Sequence, residues 1–348
     1  MLDDANVLKQ RDPAGALTIA GAEYEQVKFR PDIIDSDNDG RQITSIVVAG
    51  MGGSALAAVL VKSWLKSELK IPISIVRSYG LPLYISQNTL VIASSYSGNT
   101  EEVLSCLNQA KEFGAQIAII ASGGLLINDA QNNHIAHVIL PSGVQPRMAV
   151  INNLCALVAL LANFGLVSSD KLDEISSLSD WLQAESAKWA SDIPTDNNYA
   201  KQLALVAVGK TAVFYGGPIT APVAYKWKIS WNENAKNVAF WDAFPEFNHN
   251  EFIGWTGHPV EKPFAIFDIV SNLEHIRIQK RFEVTDRLLS GYRPKSTVIN
   301  LQGKTAIEQL LWGSILADFT SIYLAILNNV NPTTVPLIEK LKIELALS

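Results

Sequence analysis

An apolar run of strand length, a turn rich in small residues and then a helix-forming stretch recur along this 348-residue chain. The clearest instance is residues 43–49, the turn GMGGS at 50–54, and residues 55–69 with apolar positions at helical spacing. Continuous apolar strands belong to parallel sheets covered on both faces, because a half-exposed strand would alternate with polar residues. Further strands are expected at 73–76, 90–93, 117–121 and 137–140, with helices between them, clearest at 100–113. A helical stretch at 148–205 interrupts the pattern. It then resumes with strand 211–215, helix 222–235, strand 264–269, helix 271–289, strand 296–301 and helix 306–327. A short amphipathic helix at 337–347 closes the chain. The expected architecture is α/β, with two doubly wound parallel-sheet domains and helical N-terminal, linking and C-terminal segments. The expected boundaries are 1–40, 41–165, 166–205, 206–330 and 331–348, and the length suits two domains.

Net charge is −6, which argues against nucleic-acid or anionic-membrane partners, because both need clustered Lys and Arg. The N-terminus, MLDDANVLKQ, lacks a signal-peptide pattern. The apolar stretch 148–167 is broken by Asn152, Asn153 and Asn163, and reads as a buried helix rather than a membrane span. A cytoplasmic location is expected. Cys106 and Cys155 lie in apolar, helix-like stretches and read as small core residues.

Two loops carry chemistry. GMGGS at 50–54 ends a strand and opens a helix, whose free N–H groups and dipole suit a phosphate. A dinucleotide, a phosphorylated sugar, or a tight turn with no ligand all remain open here. A dinucleotide fold wants an acidic residue at the next strand's end. That place holds Arg77-Ser78-Tyr79, where Arg77 would suit only an NADP phosphate. The second loop, SSYSGNTEE at 94–102, places three serine hydroxyls and a threonine hydroxyl at a helix start. Hydroxyls plus exposed N–H groups make a neutral phosphate cradle. Asn99 is the expected N-cap, with Glu102 as capping-box partner.

The pattern Ser-x-Ser-Gly-x-Thr-x-Glu after a strand resembles the phosphosugar signature of sugar isomerase (SIS) domains. GMGGSA, PSGVQPRM at 141–148, NENAK at 232–236 and PEFNHNE at 245–251 resemble, in order, the bifunctional phosphoglucose/phosphomannose isomerases. The likeness spans nearly the whole chain. It implies a hexose 6-phosphate substrate, isomerised between aldose and ketose through ring opening and a cis-enediolate. Gly53, Ser54, Ser95, Ser97 and Thr100 are the expected phosphate-binding residues.

Such a reaction needs a carboxylate base shielded from water, and a positive group to steady the oxyanion. Glu233 suits the base, in a segment that also carries Trp227 and Trp231, and the resemblance assigns it that role. His249 suits ring opening, because imidazole exchanges protons near neutrality. Asn248 and Asn250 are placed to fix its ring, and Glu246 and Glu251 to orient it. His134, His137, His258 and His275 lack this company. The resemblance implies that Arg147 stabilises the enediolate and that a C-terminal lysine, Lys342 or Lys340, joins the site. It also implies a homodimer with shared active sites. No metal-ligand spacing is present, and neither metal nor cofactor is expected. The competing readings are a non-catalytic sugar-phosphate-binding SIS protein and an NADP-dependent oxidoreductase.

Overall fold

The computed structural model describes residues 1–37, 39–257 and 263–346. The chain divides into two compact units. One comprises Ala22–Gln183 and Gly303–Leu311; the other comprises Met1–Gly21, Ala184–Gln302 and Trp312–Ser348.

The first unit holds a parallel sheet of β1 (Ser45–Gly50), β2 (Ile73–Val76), β3 (Thr89–Ser94), β4 (Gln116–Ala121) and β5 (Ala136–Ile139), in the order β2-β1-β3-β4-β5. Val48 is in register with Ile75 on one side and Ile92 on the other. Every residue of β3 is buried, as a strand covered on both faces requires. Alternate side chains serve alternate faces. Val47, Ala49, Val91, Ala93, Ile117 and Ile119 form one core with Val103, Cys106, Leu107, Leu126 and Ile127 of the helices Glu101–Glu112 and Gly124–Asn132. Helices Gly52–Trp64 and Val150–Asn163 of the same unit pack on each other. Asn152 and Asn153 are buried within the second of these, which at 14 residues is short for a bilayer. Both cysteines are buried and free, and burial pushes the Cys155 thiol up to about 12.

The second unit holds β6 (Thr211–Gly216), β7 (Ala239–Ala243), β8 (Phe264–Val270) and β9 (Thr297–Asn300), all parallel, in the order β7-β6-β8-β9. One face carries Val213, Tyr215 and Ile266 against Phe244, Phe247, Trp255 and Phe282. The other carries Phe214 and Phe267 against Trp227 and Trp231 of helix Ala221–Ala235. The 22-residue helix Ala306–Leu327 is long and apolar enough to cross a membrane, but 94% of its apolar window is buried inside the protein.

Three local expectations need correction. β7 lies at an edge of its sheet with Phe240 and Trp241 exposed, so it has no continuous buried run to reveal it. The helix expected from 271 begins at Ile276, because residues 271–275 form a loop whose Glu274 reaches back to the start of another helix. The helix expected at 55–69 runs from Gly52 to Trp64, beginning inside the glycine turn. The C-terminal helix runs Pro336–Ala346, and residues 336–345 are all exposed. Leu347, the last residue expected in it, lies outside the described residues, as does His258.

Candidate active site

In the first sheet the chain leaves β1 toward β2 and β3 toward β4, in opposite directions. The crevice beyond the C-terminal ends of β1 and β3 is therefore the place where an α/β sheet takes ligands. Both chemistry-bearing loops lie there. The glycine turn is packed closely: a Cβ on Gly53 would sit 2.6 Å from the Pro146 carbonyl oxygen and 3.4 Å from the Arg147 Cα. Gly53 and Arg147 are thus brought together through their backbones. Ser54 is buried, and its hydroxyl oxygen accepts from the Tyr96 N–H at 3.2 Å and from Asn153 Nδ2 at 3.3 Å. Ser54 braces one loop against the other.

In the serine loop, Ser95 is buried and its Oγ lies 2.7 Å from Thr100 Oγ1, while Thr100 is half-buried and Ser97 exposed. Thr100 is the N-cap of helix Glu101–Glu112, yet its side chain makes no capping hydrogen bond. The capping box expected of Asn99 and Glu102 does not form. Asn99 Oδ1 instead accepts from Leu125 N at 2.9 Å, and so holds the start of the next helix. The cradle's helix end stays open as a result, with hydroxyls at its rim. Tyr96 ties the 141–148 loop to it, donating from its hydroxyl to the Pro141 carbonyl at 3.0 Å. Arg147 occupies the turn Pro146–Met148 with 2% exposure.

In the second unit, helix Ala221–Ala235 carries Glu233, which is half-buried. The polar residues around it hold the helix end. Asn232 Oδ1 accepts from Ala239 N at 3.1 Å, Asn234 Nδ2 donates to Ser321 Oγ at 2.9 Å, and Lys236, in a left-handed C-cap, donates to the Glu233 carbonyl at 2.8 Å. The tryptophans do not enclose Glu233. Trp227 and Trp231 stack on each other toward Phe214 and Phe267, and Glu233 follows Trp231 by about 200° around the helix.

His249 ends the turn Glu246–His249, which Phe247 anchors in the core, and its ring is exposed. The neighbours expected to fix that ring are engaged elsewhere. Asn248 donates to Thr285 Oγ1 at 2.9 Å and accepts from Arg281 at 2.9 Å; Asn250 donates to Glu246 at 2.8 Å; Glu251 accepts a short hydrogen bond from the Tyr215 hydroxyl. These bonds shape the turn and leave the imidazole projecting. Burial raises the Glu251 carboxyl above its ordinary range, against the bond from Tyr215.

Sequence reasoning passed over a buried polar group beneath this turn. Arg293 is 7% exposed, with its guanidinium 5.4 Å from the Tyr215 ring centre and 6.0 Å from that of Trp255. Burial pushes the nearby Asp268 carboxyl up to about 6, although the Arg293 charge opposes it. No local motif marks these two residues; only the fold brings them together. Lys340 and Lys342 are both exposed on the C-terminal helix. Among the described residues, no three His, Cys, Asp or Glu side chains are grouped to hold a metal ion.

The bifunctional phosphoglucose/phosphomannose isomerase of Caldicellulosiruptor bescii is 35% identical over 314 residues, covering 87% of this chain and 90% of that protein. The chain belongs to the bifunctional phosphoglucose/phosphomannose isomerase family. The enzyme of that name from Thermoplasma acidophilum is 31% identical, over 91% of this chain and 96% of its own length. The SIS domain family matches residues 41–163, and the family described as the bacterial phospho-glucose isomerase C-terminal SIS domain matches residues 196–345. A solved glucose-6-phosphate isomerase like protein from Thermus thermophilus shares the fold, with a TM-score of 0.66 at 17% identity, over 98% of both chains. Both parallel sheets described above are therefore of the SIS type.

Proposed function

We propose that this chain interconverts glucose 6-phosphate and fructose 6-phosphate, and also mannose 6-phosphate, without a metal or organic cofactor. The observation that carries the reading is the open cradle after β3, where the paired hydroxyls of Ser95 and Thr100 rim an uncapped helix N-terminus. A phosphate dianion is the ligand such a place suits, since N–H groups, the helix dipole and hydroxyls all favour negative charge without a counter-cation. Ser97, Gly53 and the brace residue Ser54 complete the phosphate side.

In the proposed reaction His249 moves a proton between the anomeric hydroxyl and the ring oxygen, which breaks the C1–O5 bond of the aldose or the C2–O5 bond of the ketose and frees the carbonyl. Glu233 then removes the proton from C2 of the aldose or C1 of the ketose. The electron pair moves into the C1–C2 bond and the carbonyl becomes an enediolate oxyanion. The hydroxyl on the neighbouring carbon passes its proton to that oxyanion, and the protonated Glu233 returns its own proton to the other carbon, so the new carbonyl forms where the hydroxyl was. Arg147 and a C-terminal lysine, Lys342 or Lys340, supply positive charge toward the oxyanion. Because the enediolate carbon is planar, protonation at C2 from either face gives glucose or mannose 6-phosphate. The exposed His249 and the exposed apolar C-terminal helix both favour a homodimer in which His249 completes the neighbouring subunit's site. We place this activity in the cytoplasm.

The test is a coupled assay on fructose 6-phosphate that follows both aldose products, with and without a chelator. Formation of both aldoses, unaffected by the chelator, supports the reading. Loss of activity under chelator that zinc restores would overturn it.

A further inference from the structure

The two sheets repeat one arrangement at their switch points. β6 lies between β7 and β8 as β1 lies between β2 and β3, so the loop after β8 corresponds to the serine loop after β3. The corresponding loops differ in chemistry. After β3 come hydroxyls and an uncapped helix. After β8 comes Ser271–His275, which contains a carboxylate that is 95% buried: Glu274 is 5% exposed.

That carboxylate is bound. Glu274 Oε1 accepts from the backbone N–H of Ile219 at 2.6 Å and of Thr220 at 3.2 Å, at the start of the 15-residue helix Ala221–Ala235. The surrounding loop is fitted to it. A Cβ on Gly217 would lie 2.4 Å from the same oxygen, so only glycine there admits the carboxylate. Thr220 is fully buried, accepts from Gly217 N at 2.7 Å and donates to the Ile269 carbonyl at 2.8 Å, which holds the two N–H groups in place. Gln279 donates to the Glu274 carbonyl at 2.8 Å and fixes the loop that delivers it. Backbone donors at a helix start, a close-approach glycine and a bound anionic oxygen are the parts of a phosphate site. Here the anion belongs to the chain.

We propose that Glu274 is the resident anion of the second unit's switch point. Its carboxylate takes the backbone donors that would otherwise bind a phosphate oxygen, and so confines sugar phosphate to the Ser95–Thr100 cradle. The helix that begins there is thereby reserved for presenting Glu233. The confinement rests on the phosphate assignment made above; the occupancy of the second switch point by Glu274 does not.

The experiment measures binding of inorganic phosphate to the full chain, as ions bound per chain, and the rise of melting temperature with formate. Wild type is expected to bind one phosphate. Glu274→Ala is expected to bind a second, and to be stabilised by formate where wild type is not. Adding Ser95→Ala and Thr100→Ala to Glu274→Ala should bring the number back to one. Two phosphates on wild type, or no gain in a folded Glu274→Ala chain, overturns the proposal. No phosphate on wild type with one on Glu274→Ala upholds Glu274 as the resident anion and removes the cradle assignment instead. If Glu274→Ala does not fold unaided, recovery of the fold on adding formate or phosphate supports the proposal. Failure of both ions to restore it, while Glu274→Gln folds without them, overturns it by showing that the charge is unnecessary.

Discussion

Ser95 and Thr100 give a prediction whose size and coupling follow from one distance. Their hydroxyl oxygens are 2.7 Å apart, so one of their two protons is used between them and one is left to face a ligand. Either hydroxyl can be the donor of that bond; the outward proton is assigned to Thr100, which is half-buried where Ser95 is 3% exposed. On the proposed phosphate assignment, Thr100→Ala removes a hydrogen bond to a charged group, about 1.5–3 kcal/mol, which is roughly 10- to 150-fold in affinity. Ser95→Ala removes a neutral supporting bond, about 0.5–1.5 kcal/mol or roughly 2- to 12-fold. The double variant has no further ligand bond to lose. Its defect should match Thr100→Ala and fall short of the product of the two single defects. Titration calorimetry with fructose 6-phosphate, run on all four chains, reads this directly. Fully multiplicative defects would refute the shared proton, and unchanged affinity in Thr100→Ala would place the phosphate elsewhere.

Two further outcomes are expected. Asp268 has a carboxyl raised to about 6 in the folded chain from an ordinary 3.8, so the folded state binds its proton more tightly than the unfolded state does. Stability from this group is thus present below pH 4 and lost as pH rises to about 6, by about 3 kcal/mol, and urea unfolding of Asp268→Asn should show a flatter pH dependence across that window. Glu251 is shifted the same way, so part of the slope should survive; an unchanged slope would contradict the assignment. Subunits carrying Glu233→Gln and His249→Ala, each nearly inactive alone, should regain activity when unfolded and refolded together, up to about one working site per mixed dimer. No recovery with mixed dimers present would reject the shared site.

The fold was legible where burial is symmetrical. β1, β3 and β4 are covered on both faces, and their uninterrupted apolar runs announce it. β7 escaped because an edge strand with Phe240, Trp241 and Asp242 has no such run. Local signals also failed where a distant group outbid them. The Asn99–Glu102 spacing has the form of a capping box, yet Asn99 bonds Leu125 N, 26 residues on. Leu273 and Ile276 extend a helical period back to 271, but Glu274 leaves that helix to bind N–H groups about 55 residues earlier. Trp227 and Trp231 did carry readable information: four residues apart, they share one helix face, and Glu233 does not lie on it. The motif segments PSGVQPRM, NENAK and PEFNHNE proved to be built largely of bonds that hold loops and helix ends. Glu233 and His249 stand among those bonds at half-buried and exposed positions, and only the family resemblance separates them from ordinary surface residues.

The central claim is that carbon-bound protons move through Glu233 by way of an enediolate. Its most direct test is fructose 6-phosphate in deuterated water, followed by NMR of the hexose phosphates formed, with wild type beside Glu233→Gln. Wild type should give glucose and mannose 6-phosphates with deuterium on C2, while Glu233→Gln should bind the ketose and neither turn it over nor label it. Binding without turnover by wild type, or labelling and turnover that persist in Glu233→Gln, would contradict the account.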